Sequence, residues 1–136
     1  MITAVDTSVL LDIFGADPTF GRRSREALRQ CIAEGSVVAS AIVWAEVAAY
    51  FPSGSAAGDA MTRLGVAFGP LDRDAALRAG AAWKLYRARG GTRARVVADF
   101  LIGAHALTSA DRLLSRDRGF YRSYFRGLVL LDPTAE

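Results

Sequence analysis

The sequence predicts an α/β fold built on a central parallel sheet of four to five strands, with helices on both faces. Short apolar segments alternate along the chain with longer segments of helical periodicity, which is the pattern of parallel strands joined by crossover helices. The 136 residues are 51% hydrophobic, and a chain of this length buries one substantial core. There is no internal repeat, low-complexity tract or linker, so residues 1–136 are predicted to form a single domain.

Short apolar runs predict the strands, and helical periodicity with capping and terminating residues delimits the helices. The predicted strands span 2–5, 37–39, 66–68, 112–115 and 128–131. A helical turn at 10–13 is followed by predicted helices at 17–33, 40–50, 60–64, 72–89, 96–107 and 120–125. Ser40 and Asp72 are the predicted N-caps of their helices, and residues 53–58 and 92–95 are predicted to be loops.

The composition excludes several classes of protein. One cysteine and one histidine rule out a disulfide framework and a Cys/His zinc site, and His105 is predicted to be a packing residue. No signal peptide is recognisable, and the longest charge-free stretch, residues 47–58, contains a proline and is too short to cross a bilayer. We therefore expect a cytoplasmic protein that does not associate with membranes.

The basic residues are almost all arginines, since Lys84 is the only lysine among 17 basic side chains and the net charge is +3. Arginine binds phosphate in a bidentate manner, so this balance permits a nucleic-acid partner, although a genome-wide preference for arginine produces the same composition. The mean hydropathy of +0.19 is high for a chain of this size. It suggests an apolar surface that a second copy or another chain covers.

Four acidic residues lie in apolar surroundings, whereas the other ten fall in loops, caps and polar helix faces. Asp6 ends the first strand, Glu46 lies in an apolar helical stripe, Asp99 interrupts an apolar run, and Asp117 follows the fourth strand. A carboxylate removed from water needs a cation or a proton, because burying the bare charge is costly. Capping or salt-bridging roles are the structural alternative, but they do not account for Glu46.

The topology of a parallel sheet brings these four acids to one edge. Crossover helices run antiparallel to the strands, so the first turns of the helices lie above the carboxyl ends of the strands, where open α/β folds usually place their sites. Four carboxylates in one crevice repel each other unless a cation neutralises them. An all-oxygen set without histidine or cysteine selects a hard divalent ion such as Mg²⁺ or Mn²⁺.

Four segments of the sequence resemble the motifs of the PIN-domain nucleases. They are Val5-Asp6-Thr7-Ser8, Trp44-Ala45-Glu46-Val47, Ala98-Asp99-Phe100-Leu101-Ile102 and Leu114-Ser115-Arg116-Asp117-Arg118-Gly119-Phe120. The order and spacing are similar to those of the family, and at this length the chain most resembles the VapC-type toxins of toxin–antitoxin pairs. The resemblance implies a PIN-like three-layer sandwich and a Mg²⁺- or Mn²⁺-dependent endoribonuclease. It also implies an RNA substrate, a homodimer, and a cognate antitoxin that inhibits it.

The predicted catalytic residues are the four acids of these motifs. Asp6, Asp99 and Asp117 are predicted to hold a metal ion that activates water for attack on a phosphodiester. Glu46 helps to hold the ion or accepts the proton of that water. Two hydroxyl groups near the acids, those of Ser8 and Ser115, are predicted to orient them.

Four arginines near the acids are candidate RNA contacts. Arg93 and Arg95 lie in the loop before the third motif, which either receives a phosphate or is an ordinary solvated loop. Arg116 and Arg118 flank the acid of the fourth motif and either bind RNA or pair with the acids. In a toxin, an antitoxin side chain entering the site is a further alternative.

Three other classes of protein share features with this sequence. A receiver domain or a haloacid-dehalogenase-like phosphatase binds Mg²⁺ on an α/β sheet, but the first uses a late active-site lysine and Lys84 lies mid-helix. The second uses an Asp-x-Asp motif, whose second aspartate is missing from Asp6-Thr7-Ser8. A non-catalytic binding module has no need for all four acids. A PIN nuclease that is not a toxin is the remaining alternative.

Overall fold

The computed structural model describes residues 1–135, and Glu136 lies outside the described residues. Five strands are present in this range: β1 (Ile2–Val5), β2 (Ser36–Ser40), β3 (Val66–Gly69), β4 (Arg112–Leu114) and β5 (Leu130–Leu131). The same range holds seven helices: α1 (Thr7–Phe14), α2 (Gly21–Glu34), α3 (Ala41–Tyr50), α4 (Gly54–Leu64), α5 (Arg73–Ala88), α6 (Val97–Ser109) and α7 (Arg118–Tyr124). No helix of residues 1–135 is long and apolar enough to span a membrane.

The five strands form one parallel sheet in the order β3-β2-β1-β4-β5. The central strand is β1, whose Ala4 pairs with Val38 of β2 on one side and Leu113 of β4 on the other. Successive strand residues point to opposite faces, and Ala4 and Val5 are only 2% and 1% exposed. Helices therefore cover both faces of the sheet, and the predicted α/β class with a central parallel sheet is confirmed.

Two predicted helix starts agree with the structure. The Ser40 hydroxyl accepts a hydrogen bond from the N–H of Val43 at 3.4 Å, and the Asp72 carboxylate accepts one from the N–H of Ala75 at 2.8 Å. Both side chains satisfy a backbone donor that the first turn of a helix leaves free. The caps fix where α3 and α5 begin.

Several boundaries differ from the prediction: α1 is a helix over Thr7–Phe14 rather than a turn at 10–13, and β5 covers only Leu130–Leu131 of the predicted 128–131. Residues 54–58 are helical rather than a loop, because the Ser53 hydroxyl caps α4 through the N–H of Ala56 at 3.1 Å. The α2 helix begins at Gly21 rather than at Asp17. The Asp17 carboxylate instead accepts hydrogen bonds from the N–H groups of Thr19 and Phe20, both at 2.8 Å, which forms a separate turn before the helix.

An aromatic cluster joins α5, α6 and α7. Its centre is Phe100, which is fully buried in the first turns of α6. The aromatic rings packed around it are those of Trp83, Tyr86, Phe120, Tyr124 and Phe125. Because Phe100 follows Asp99 and Phe120 is close in sequence to Asp117, this packing draws together the segments that carry the two acids.

Candidate active site

The four predicted acids line one cleft, at the edge of the sheet where the strands end. The cleft has a volume of about 390 Å³ and is also lined by Thr7, Ser8, Arg95, Ile102, Arg116 and Tyr121. Asp6 is the N-cap of α1, Glu46 lies in α3, Asp99 occupies the first turn of α6, and Asp117 is the N-cap of α7. The parallel topology therefore gathers side chains from four separate segments.

Asp6 is the most deeply buried of the four acids, with 8% of the residue exposed. Its Oδ1 accepts a hydrogen bond from the N–H of Thr7 at 2.8 Å. Its Oδ2 accepts bonds from the hydroxyls of Ser115 at 2.7 Å and Tyr121 at 3.1 Å. Burial raises the pKa of Asp6 above its ordinary value, although these hydrogen bonds act in the opposite direction. The ionised form thus favours a positive partner.

Ser115 connects two of the acids. Its hydroxyl donates to Asp6 and accepts the backbone N–H of Asp117 at 2.9 Å, so one buried side chain contacts both the carboxylate that follows β1 and the loop after β4. Ser115, one of the two predicted hydroxyls, is therefore placed between two of the acids. Ser8, the other predicted hydroxyl, lines the cleft but makes no such contact.

Tyr121 is a residue of the site that the sequence did not single out. Burial raises the pKa of its hydroxyl well above the ordinary value, and the adjacent Asp6 adds to the effect. The phenol therefore stays protonated and donates to Asp6. The only sequence signal was its place in the aromatic segment that follows the fourth motif.

Glu46 is held by Thr7, another residue that the sequence did not single out. The Thr7 hydroxyl donates to Glu46 Oε1 at 2.7 Å, across 39 positions of sequence. Thr7 is also the first residue of α1, and its N–H bonds to Asp6. One residue at the start of α1 therefore links Asp6 to Glu46.

Arg95 lies among the acids of the cleft. Its guanidinium forms an ion pair with Asp117, and its Nη1 is 4.0 Å from Oδ1 of Asp99. It also lies over the ring of Phe120, with Cζ 4.2 Å from the ring centroid. Burial alone would lower the pKa of Arg95, but the hydrogen bond and charge of Asp117 outweigh it and raise the pKa. Asp99 Oδ2 accepts the N–H of Val96 at 2.9 Å.

The side chains of the cleft determine whether it can hold a metal ion. In the described part of the chain, no three acidic, histidine or cysteine side chains are grouped closely enough to hold one as they stand. Arg95 provides the positive charge for two of the carboxylates. The donor set nevertheless fits a hard divalent cation, because all its ligand atoms are oxygens. The Ser8 hydroxyl is also buried without a hydrogen-bond partner in residues 1–135, which a cation's water would satisfy.

Arg116 pairs with an acid outside the predicted four. Its Nε and Nη2 bind the two carboxylate oxygens of Asp12 at 2.8 and 3.0 Å, and its guanidinium lies over the ring of Phe20. Asp12 also accepts the hydroxyl of Ser24 at 2.9 Å and is only 5% exposed. Grouping Asp12 with the solvent-facing acids was wrong, because α2 and the loop after β4 cover that face of α1.

The other two candidate arginines do not line the acidic cleft. Arg118 is exposed in the first turn of α7, and Arg93 is exposed in the loop between α5 and α6. Arg93 lines a neighbouring cavity rather than the acidic cleft, whereas Arg95 lines both. The structure thus separates two arginines of one loop into different surroundings.

Comparison with known proteins identifies the family. The PIN-domain profile matches residues 3–126, which is most of the chain. The chain therefore belongs to the PIN-domain family, as the four motifs predicted. No curated protein sequence matches it significantly.

Solved structures of VapC-type proteins have the same fold. VapBC2 from Rickettsia felis, bound to a promoter DNA fragment, is 17% identical with a TM-score of 0.74, covering 97% of this chain and 98% of that one. VapBC-1 from nontypeable Haemophilus influenzae is 19% identical with a TM-score of 0.74, covering 99% and 100%. VapC20 from Mycobacterium tuberculosis, a toxin that cleaves the sarcin-ricin loop, is 19% identical with a TM-score of 0.57, covering 93% and 96%.

Proposed function

We propose that this protein is a divalent-metal-dependent endoribonuclease, the toxin of a VapBC-type toxin–antitoxin pair, in which residues 1–136 form one PIN domain. The observation that carries the proposal is the meeting of Asp6, Glu46, Asp99 and Asp117 in one cleft at the end of the strands. Membership of the PIN family supports a nuclease. Membership of the PIN family also argues against a receiver domain and against a haloacid-dehalogenase-like phosphatase.

The residues of the cleft have different proposed roles. When bound, Mg²⁺ or Mn²⁺ would supply a water of lowered pKa and offset the charge of a phosphodiester. Asp6, Asp99 and Asp117 would hold the ion, and Glu46 would help to hold it or accept a proton from the attacking water. Tyr121 and Ser115 both donate hydrogen bonds to Oδ2 of Asp6. Within residues 1–135, Oδ1 of Asp6 accepts only the N–H of Thr7, so it can still bind a further partner.

The proposed partners are a cognate antitoxin and a second copy of the chain. The R. felis and H. influenzae neighbours are VapBC assemblies, which supports an antitoxin. Exposed apolar side chains on α5 support a covered surface, and they include Leu77 and Leu85. Light scattering of the purified chain tests the homodimer. Co-purification with the product of an adjacent reading frame tests the antitoxin.

The nuclease activity is tested by Asp99→Asn with Asp74→Asn as its matched control. Both aspartates occupy the first turn of a helix, but Asp74 lies on α5 and pairs with Arg78 at the surface. We expect Asp99→Asn to abolish Mn²⁺-dependent cleavage of an RNA panel without changing the circular dichroism spectrum, since the amide still accepts the N–H of Val96. Asp74→Asn should cleave normally. Normal cleavage by Asp99→Asn would reject the proposed site.

The toxin assignment is separated from a non-toxin PIN nuclease by expression in cells. We expect the wild-type chain to arrest growth and Asp99→Asn to be harmless at the same protein level. Co-expression of the adjacent reading frame should restore growth. An active nuclease that does not arrest growth would leave the enzymatic proposal intact and refute the toxin role.

A further inference from the structure

We propose that four arginines, one in the last turn of α5 and three in the segment between α5 and α6, form a binding site for the RNA backbone beside the acidic cleft. We call Arg87, Arg89, Arg93 and Arg95 the arginine strip. The cavity next to the strip, which Trp83 lines, receives a nucleotide that flanks the scissile bond. The inference rests on the proposed function, and it names the path of the substrate outside the cleft.

The charge of this segment is strongly uneven. Four of the nine residues from 87 to 95 are arginines, and no acidic residue occurs until Asp99. Arg87, Arg89 and Arg93 are exposed, while Arg95 turns into the cleft. Single-stranded RNA carries one negative charge per nucleotide. A run of cations next to the acids therefore supplies attraction for the strand where the acids repel it.

Aromatic rings hold three of the four guanidinium groups. Arg87 lies over Trp83 with Cζ 4.7 Å from the ring centroid, and Arg95 lies over Phe120 at 4.2 Å. Arg89 lies over Tyr124 at 5.7 Å. A stacked guanidinium loses freedom but keeps the N–H donors in its plane, so Arg87 and Arg89 are already ordered for bidentate phosphate binding, whereas Arg95 shares its donors with Asp117. Arginines that serve only solubility need no such support.

The cavity beside the strip has the shape and chemistry of a nucleotide site. Its volume is about 360 Å³, and its lining includes Trp83, Arg87, Thr92, Arg93 and Arg95. Arg87 covers the ring of Trp83, so the surface offered to a base is the guanidinium plane stacked on that ring, with the N–H donors of the strip available to its phosphate. Because Arg95 lines both this cavity and the acidic cleft, the two adjoin each other. This combination favours RNA over an acidic peptide, which has no base to stack.

The first test measures binding of a labelled single-stranded RNA of about 12 nucleotides with EDTA present, so that no cleavage occurs. Arg87→Ala and Arg93→Ala are compared with Arg29→Ala, an exposed arginine on α2, which contributes no residue to the cleft or the cavity. We expect each strip variant to reduce the slope of log Kd against log salt by about 0.7. At 0.1 M salt this corresponds to about fivefold weaker binding. Arg29→Ala should bind as the wild type does.

The second test uses fluorescence and leaves the strip intact. The chain has two tryptophans, Trp44 and Trp83, and only Trp83 lines the cavity. In Trp44→Phe, we expect the same RNA to quench the emission of Trp83. In Trp83→Phe, the emission of Trp44 should not change on addition of RNA.

Each outcome separates the strip from the nuclease proposal. Equal losses in Arg29→Ala and the strip variants, or an unquenched Trp83, would overturn the strip as an RNA site. Wild-type protein that binds RNA through the strip yet never cleaves with Mn²⁺ would refute only the nuclease. Asp99-dependent cleavage with normal RNA binding by the strip variants would refute only the strip.

Discussion

Replacing Arg95 by alanine should make the protein bind Mn²⁺ more tightly and fold less stably without metal. In the metal-free protein the Arg95 guanidinium pairs with Asp117 and faces Asp99, which are two of the proposed metal ligands. A metal ion that uses these carboxylates must break the ion pair. The variant has no pair to break, and it has no positive charge beside the incoming cation.

The size of the effect follows from the exposure of the pair. Two unit charges about 4 Å apart attract by about 4 kcal/mol at an effective dielectric constant of 20 and by about 1 kcal/mol in water. Arg95 and Asp117 are 29% and 38% exposed, which places the pair towards the aqueous limit. A contribution of about 1 kcal/mol corresponds to about fivefold tighter Mn²⁺ binding. The melting temperature without metal should fall by about 3–5 °C.

Two measurements on the RNA-free protein check both halves of this prediction. Titration calorimetry with Mn²⁺ gives the change in Kd, and thermal unfolding with EDTA or Mn²⁺ gives the change in stability. Arg93→Ala is the control, because Arg93 belongs to the same loop and does not line the acidic cleft. The control should match the wild type in both measurements.

Weaker or equal Mn²⁺ binding by Arg95→Ala, with unchanged stability in EDTA, would show that Arg95 does not serve as an internal counter-ion. Wild-type protein that binds no Mn²⁺ at all would contradict the proposed metal site itself. The two failures are distinguishable because the second is visible before any variant is made.

Three further predictions concern single side chains. Glu46→Gln should leave the metal-free protein as stable as the wild type or more stable. The change removes one carboxylate charge, and the amide oxygen still accepts the hydroxyl of Thr7. A clear loss of stability in urea unfolding would indicate a structural salt bridge. Asp12→Asn should lower the free energy of unfolding by about 2 kcal/mol, because it leaves the half-buried Arg116 without its ionic partner; an unchanged urea midpoint would contradict this. Burial lowers the pKa of His105 in the native state, so below about pH 6.5 the unfolded chain takes up a proton that the native state excludes. The free energy of unfolding should therefore be highest above about pH 6.5 and should fall as the pH drops below it. His105→Gln should flatten that dependence in unfolding curves recorded between about pH 5 and 8.

The sequence was sufficient to predict the sheet and the positions of the four acids. Asp6 and Asp117 follow apolar runs that form neighbouring parallel strands, so their convergence is a consequence of topology. The first turn of α6 carries Asp99 to the same edge for the same reason. These predictions depend only on where elements begin and end, which hydrophobic pattern and capping residues indicate.

The contacts around the acids could not be predicted, because they depend on how the elements pack. Tyr121 meets Asp6 across 115 positions of sequence, and Arg116 meets Asp12 across 104. The helical pattern around residues 10–13 gives no sign that α2 would cover the side of α1 that carries Asp12. The orientation of the Arg95 guanidinium is set by the ring of Phe120 and by Asp117, and neither residue is a neighbour of Arg95 in sequence.

The central position of β1 has a consequence for the order in which the protein folds. Strand β1 needs β4 as its neighbour, and Ser115 must cross 109 positions of sequence to reach Asp6. Closing such a long loop costs conformational entropy, which slows the formation of the contact. Contacts of this kind therefore form late compared with those inside α5 and α6. Partly folded forms that lack the β1–β4 pairing have only a fragment of the acidic cleft. A hydrolytic activity that depends on all four carboxylates would therefore be absent from misfolded or clipped chains.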